Sequence, residues 1–188
     1  YLDTKNAPKA GKKKRRKNYN SYDGVNFDVL KVYVSNSLVD DFRVNSSASL
    51  IIQNGLKAEK VSIECTSSGN FLGTIKCATA IIEASSSADV DANITADALS
   101  VNANSSADVE LSGTAEKITI RTSSSADCKA KNLIAKHAVV EASSSSDADV
   151  HASERLTASA SSSASITYFG NPTTVDKSES SSGSVSKR

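Results

Sequence analysis

Seven times between Asn45 and Ser165 two serines are followed by one small residue and then a short polar one. The copies read Asn45-Ser46-Ser47-Ala48-Ser49, Thr66-Ser67-Ser68-Gly69-Asn70, Ser85-Ser86-Ser87-Ala88-Asp89, Asn104-Ser105-Ser106-Ala107-Asp108, Ser123-Ser124-Ser125-Ala126-Asp127, Ser143-Ser144-Ser145-Ser146-Asp147 and Ser161-Ser162-Ser163-Ala164-Ser165. Measured at the last residue of each copy, the steps are 21, 19, 19, 19, 20 and 18. A near-constant period of this length marks a solenoid, in which every repeat is one coil stacked on its neighbours.

The flanks decide between helix and strand. Seven residues before each anchor stand Phe42, Ile63, Ile82, Val101, Ile120, Val140 and Ala158; five before stand Val44, Cys65, Ala84, Ala103, Thr122, Ala142 and Ala160. One after come Leu50, Phe71, Val90, Val109, Cys128, Ala148 and Ile166, and three after come Ile52, Gly73, Ala92, Leu111, Ala130, Val150 and Tyr168. Apolar or small residues two apart, with polar ones such as Glu64, Glu83, Asn102, Arg121 and Glu141 between them, have the period of a strand. A repeat of about 19 residues is too short to hold a full crossover helix between strands. Stacked coils lie about 4.8 Å apart and set like residues on like. The expected fold is all-β: a single-stranded, right-handed parallel β-helix of about seven coils, with capping strands at the N-terminus. The two unbroken serine columns suit a sharp bend, where small side chains fit and hydroxyls can bond freed backbone groups or one another.

The chain reads as one domain. Residues 1–18 are a basic loop or extension, 19–37 capping strands, 38–169 the coils, and 170–188 a cap and polar tail. Val25, Phe27 and Val29, then Leu30, Val32 and Val34, read as one or two strands covering the first coil, because an open solenoid end exposes unpaired strand edges. Segments such as Leu56-Lys57-Ala58-Glu59-Lys60 and Leu133-Ile134-Ala135-Lys136 read as a third short strand or a corner. Tyr168-Phe169-Gly170-Asn171-Pro172 reads as a closing plug, with Pro172 discouraging further strand addition. Ser178 to Ser186 reads as a polar tail, mobile at its end, with an edge strand as the alternative.

Charge is segregated. Lys9, Lys12, Lys13, Lys14, Arg15, Arg16 and Lys17 are seven of 22 basic residues, and the other 15 against 21 acidic residues leave a net of −6. Nucleic-acid binding by the whole protein is not supported, and the basic run reads as a solvated loop or a segment near a trimmed end, with a nuclear-import or phosphate-binding patch at Lys12 to Lys17 as the alternative. No apolar run approaches the roughly 18 residues of a membrane span. The chain starts at Tyr1 without Met or a signal pattern, as a mature or trimmed product would. Cys65, Cys77 and Cys128 read as buried thiols, with a Cys65–Cys77 pair across one coil as the alternative. His137 and His151 read as exposed polar positions.

No catalytic constellation stands out: no nucleophile elbow, phosphate loop or dinucleotide fingerprint. The one column with chemical potential is Asp89, Asp108, Asp127 and Asp147, joined two residues on by Asp91, Glu110 and Asp149. Stacked carboxylates repel and so could recruit Ca²⁺. The favoured reading is that they accept hydrogen bonds at the bend and keep the surface soluble, without a metal or cofactor.

The sequence resembles the head GIN domain family, cell-envelope or secreted proteins of Gram-negative bacteria described as auto-transporter adhesins. The resemblance rests on Lys31-Val32-Tyr33-Val34 leading to Leu38, on the Ser-Ser-Ala-Asp-Val coils, and on Leu56 to Ile63 between coils. It also rests on Ile166-Thr167-Tyr168-Phe169-Gly170-Asn171-Pro172 with its Ser-rich tail. It covers roughly Val32 to Ser186 and leaves the basic run outside the family pattern. It implies a β-helix in the envelope (periplasm, outer-membrane surface or secreted) and carries over no catalytic residue. The expected function is a non-enzymatic module that binds or displays to glycan or protein partners. A carbohydrate-active β-helix enzyme and a purely structural envelope component are the alternatives.

Overall fold

The computed structural model describes residues 21–22, 25–26, 31–34 and 39–188. Two compact units divide the chain, Tyr1–Asn36 and Ser37–Arg188. In the first, β1 (Ser21–Tyr22) pairs antiparallel with β2 (Val25–Asn26). Lys31 to Val34 forms no strand and is exposed, so the strand expected at Val32–Val34 is absent. The basic run, Phe27, Val29 and Leu30 lie outside the described residues.

The second unit is a parallel β-solenoid with no helix among the described residues. Its first coils are β3 (Asp41–Val44), β4 (Ser49–Ile51) and β5 (Leu56–Cys65). Long strands follow: β6 (Asn70–Ala84), β7 (Asp89–Ala103), β8 (Asp108–Thr122), β9 (Asp127–Ala142) and β10 (Asp147–Ala160). The last are β11 (Ser165–Phe169), β12 (Thr174–Glu179) and β13 (Ser184–Lys187). Every pairing in this unit is parallel and, apart from shifts in the β8–β9 and β9–β10 pairs, in the repeat register, as in Val90↔Val109 and Ile82↔Val101.

Each coil turns at its serine pair. Both serines are left-handed at all corners, for example Ser86 at φ 56° and Ser87 at φ 59°. Within the turn, the amide of the fourth residue donates to the carbonyl of the first, as Ala107 N does to Asn104 O at 3.2 Å. Two consecutive left-handed residues with that bond make a type I′ turn. For a residue with a Cβ the left-handed conformation costs roughly 1–2 kcal/mol. The corner offsets this by stacking: the second serine's amide donates to the first serine's carbonyl one coil on, as in Ser87 N to Ser105 O and Ser106 N to Ser124 O, both 3.1 Å.

Among the described residues there are eight such corners, one more than the seven copies read above. Ser181 (φ 46°) and Ser182 (φ 64°) repeat the geometry, with Gly183 in the small position and Val185 buried behind it. The segment expected as a mobile tail is therefore a coil: β12 pairs with β10 and β13 with β11. Pro172 does not end the stack, because it falls between β11 and β12, where no ladder donor is needed.

A second bend lies within each long strand. Glu59, Ala78, Asp97, Glu116 and Lys136 have no partner in the ladder, while the residues on either side are paired. Inward alternation slips there by one residue, so that Cys77 and Ala80 are both buried, as are Ala96 and Leu99. The segments Leu56–Lys60 and Leu133–Lys136 are thus strand and corner together. Unequal steps have local causes. The longest holds the exposed Gln53-Asn54-Gly55 turn, and another has a register shift opposite Glu110–Ser112.

The expected inward columns are buried, apart from Phe42, Leu50 and Ile52 in the first coil, which are half-buried against the core. Further buried columns are Val61, Ala80, Leu99, Ile118, Ala138 and Leu156; Ile75, Ile94 and Leu133; Cys77, Ala96, Ala115 and Ala135; and the corner residues Ala88, Ala107, Ala126 and Ala164. Phe71 is fully buried and meets Phe42 edge-on at 6.0 Å. Most of the remainder is Val, Ile, Leu and Ala, which explains how a chain with only 5% aromatic residues builds a packed core. Cys65, Cys77 and Cys128 are buried, unpaired thiols.

Candidate functional site

The serine corners present a double row of hydroxyls. Every serine of both columns, from Ser46–Ser47 to Ser181–Ser182, is exposed, because two left-handed residues in succession turn both side chains out of the coil. Among the described residues, none of these hydroxyls joins the side-chain hydrogen bonds of the protein, whose members lie on other columns. The expected bonding of hydroxyls to backbone at the bend is replaced by the backbone ladder itself.

Two residues on, the register sets Asp89 beside Asp108, Asp108 beside Asp127, and Asp127 beside Asp147. The four carboxylates form one row. Burial and the charges of Asp108 and Asp147 push the Asp127 carboxyl above its usual value, and Lys129 partly opposes them. Lys129 interrupts the companion row that Asp91, Glu110 and Asp149 were expected to form: it stands between Glu110 and Asp149 and reaches Asp108 at 3.3 Å. That hydrogen bond in turn raises the lysine's pKa. Among the described residues, no three His, Cys, Asp or Glu side chains converge as metal ligands do. Stacking along one line explains this, since coordination needs donors surrounding a point.

Sequence reasoning did not single out the face on the other side of the corner. There Asn102, Arg121, Glu141 and Ser159 follow one another in register, flanked by Asn104, Ser123, Ser143 and Ser161. They line a shallow depression of about 470 Å³. Arg121 Nε donates to Glu141 at 3.0 Å across two coils. The signal was in the alternation, where these were the polar residues between inward columns. A smaller groove at the second bend is lined by Ala96, Ala115 and Ile134 between Lys76, Asp97, Glu116 and Lys136. Its Lys136 and Glu116 are paired at 2.8 Å.

His137 is exposed and lies 3.7 Å from Glu154. His151 is half-buried rather than exposed. Its ring lies beside Gly170, where a Cβ would meet the Ala152 carbonyl as well as the ring, which together with φ 90° requires glycine there. Among the described residues, no helix is long and apolar enough to cross a membrane.

The family described as "Putative auto-transporter adhesin, head GIN domain" matches residues 9–172. The chain belongs to the head GIN domain family. The match reaches back to residue 9, so the basic run falls inside the family's extent, contrary to the sequence expectation, while most of the eighth coil lies beyond it. Three crystal structures share the head GIN domain chain's solenoid. A putative lipid binding protein from Parabacteroides distasonis is 29% identical with a TM-score of 0.76, over 80% of this chain and 62% of that one. A putative adhesin from Bacteroides fragilis is 24% identical with a TM-score of 0.57, over 74% and 56%. A putative adhesin from Parabacteroides merdae is 18% identical with a TM-score of 0.76, over 79% and 63%. This chain therefore spans somewhat less than two thirds of each of those structures. No curated protein matches it.

Proposed function

We propose that this head GIN domain chain is a non-enzymatic envelope or surface module that binds glycan or protein partners through its lateral faces. The observation that carries the reading is registration: the corner hydroxyls repeat every coil and the carboxylates of Asp89, Asp108, Asp127 and Asp147 over four successive coils, about 4.8 Å apart along the ladder. Such faces suit extended partners that gain affinity through many weak contacts. The family's adhesin character agrees with it. The best-defined patch is the depression between Asn102 and Ser161, where an arginine, a glutamate, amides and hydroxyls offer donors and acceptors side by side.

The test is a glycan array together with a pull-down from envelope extract, using wild type and an Asn102→Ala/Arg121→Ala/Glu141→Ala variant. Retention by wild type and its loss in the variant supports the reading. No retained ligand from either source would sink it. The relative named for lipid binding motivates a second reading, in which an acyl chain lies along Ala96, Ala115 and Ile134. Vesicle flotation of wild type against Ile134→Asp, which should abolish it, tests that separately.

A further inference from the structure

The eighth coil departs from the other seven at two inward columns. Ala158, seven residues before its anchor, is followed in register by Lys177; Ala160, five before, is followed by Glu179. Every earlier coil carries a hydrophobic or small residue at those places, as Val140 and Ala142 do. Lys177 and Glu179 are exposed instead. Both side chains fold across the end of the solenoid.

Their partners there are specific. Glu179 accepts the amide hydrogen of Val185, and Lys177 Nζ donates to the carbonyl of Val185 at 3.1 Å. The same ammonium sits 4.7 Å from the centre of the Tyr168 ring, covering the last aromatic of the interior. Val185 is the residue where this matters. In a parallel ladder alternate residues turn both backbone groups to the same neighbouring strand. Tyr168 gives its carbonyl to Arg188 of the eighth coil at 3.0 Å, so Ile166, two residues earlier, faces that way too. Val185 pairs with Ile166 and holds the corresponding position one coil on. Its amide and carbonyl therefore face the place where a ninth strand would lie, and two side chains of its own coil occupy them.

We propose that Lys177 and Glu179 form a polar stopper over the eighth coil that opposes addition of a further strand on Val185, so that copies of this chain do not stack on that face. Inward-pointing charges on an edge strand oppose pairing because a strand laid over them would bury them.

The test compares wild type with Lys177→Val/Glu179→Ala, which continues the apolar columns, by light scattering across a concentration series. A matched control, Lys57→Val/Glu83→Ala, makes the same changes at exposed lateral positions. Wild type and control should keep one mass, and the stopper variant should at least double in mass as concentration rises. Equal masses for all three, or a concentration-dependent mass for wild type, would overturn the proposal. Should the stopper variant lose its β-sheet circular dichroism, Glu179→Ala alone decides. Its Val185 amide should exchange with solvent at least about ten-fold faster than in wild type, while the Ser184 amide, bonded to Ala164, is unchanged. An unchanged Val185 rate overturns the proposal.

Discussion

Inside the solenoid, the hydroxyls of Thr122 and Ser146 meet at 2.9 Å, although 24 residues separate them in sequence. They are the two buried polar side chains among the described residues. Thr122 stands where neighbouring coils have Ala103 and Ala142, and Ser146 where they have Ala126 and Ala164. Ser146 Oγ also accepts from the Ser143 amide at 3.2 Å. Two departures from the repeat thus satisfy one another, and among the described residues no buried side-chain polar atom is left unpaired.

Removing one member should cost more than removing both. Ser146→Ala leaves the Thr122 hydroxyl without its partner and should lose about 1–3 kcal/mol. Adding Thr122→Ala restores the alanine columns and should recover part of that loss, giving a coupling of about 0.5–3 kcal/mol in a double-mutant cycle. Urea melts of the four proteins measure it, and purely additive losses would contradict the pairing.

The corner serines carry strain that glycine would release. Ser106→Gly removes a left-handed Cβ worth roughly 1–2 kcal/mol, against about 0.5–1 kcal/mol for glycine's freedom in the unfolded chain. The net gain should be up to about 1 kcal/mol, and Ser106→Val, with a branched Cβ in the same conformation, should lose stability. A lower urea midpoint for the glycine variant would mean that the hydroxyl, not the ladder, holds the corner.

Asp127 has its carboxyl raised in the folded state by burial and by its acidic neighbours. A raised folded value means that ionisation favours the unfolded chain. This group's contribution to stability is greatest at acid pH and is lost as pH climbs through the carboxylate range. Asp127→Asn should therefore stabilise the protein at neutral pH by about 0.2–1 kcal/mol, the scale of a cross-strand charge pair. The advantage should vanish on acidification below the aspartate's ordinary 3.8. Melting temperatures of both proteins from acid to neutral pH provide the check.

Burial pushes the Cys128 thiol up to about 12 and Cys65 to about 11, from an ordinary 9.0. Both should resist alkylation in the native protein at pH 8 and react only on unfolding, since the thiolate is the nucleophile. Their protonated forms are favoured by the fold. Stability should thus hold below about pH 9 and fall as pH rises towards 12. Cys128→Val, matching Val109 in the coil below, should flatten that alkaline decline, and native labelling of Cys128 at pH 8 would contradict its burial.

The interior was legible in the sequence because a strand's period of two and a coil's period near 19 fix which side chains face inward, whatever the detailed geometry. Val90, Val109 and Ile166 needed nothing more than their offsets. The acidic row followed from the same counting. Its chemistry did not, since Lys129 departs from the companion row and reaches back to the coil below. Likewise, Ser181–Ser182 matched the motif, but Lys177, Glu179 and Pro172 masked the eighth coil, because charge at inward columns reads as the end of a pattern.

What the residues alone determined is the repeat: local spacing sets alternation and turn, and these depend on near neighbours along the chain. What only the tertiary structure decided is everything that depends on neighbours one coil away. That includes the left-handed serines tolerated by bonds to the next corner, the partner of Thr122, the depression beside Arg121, and the two side chains that close the end over Val185. Such contacts arise from register between coils, and register is a property of the stack rather than of any one segment.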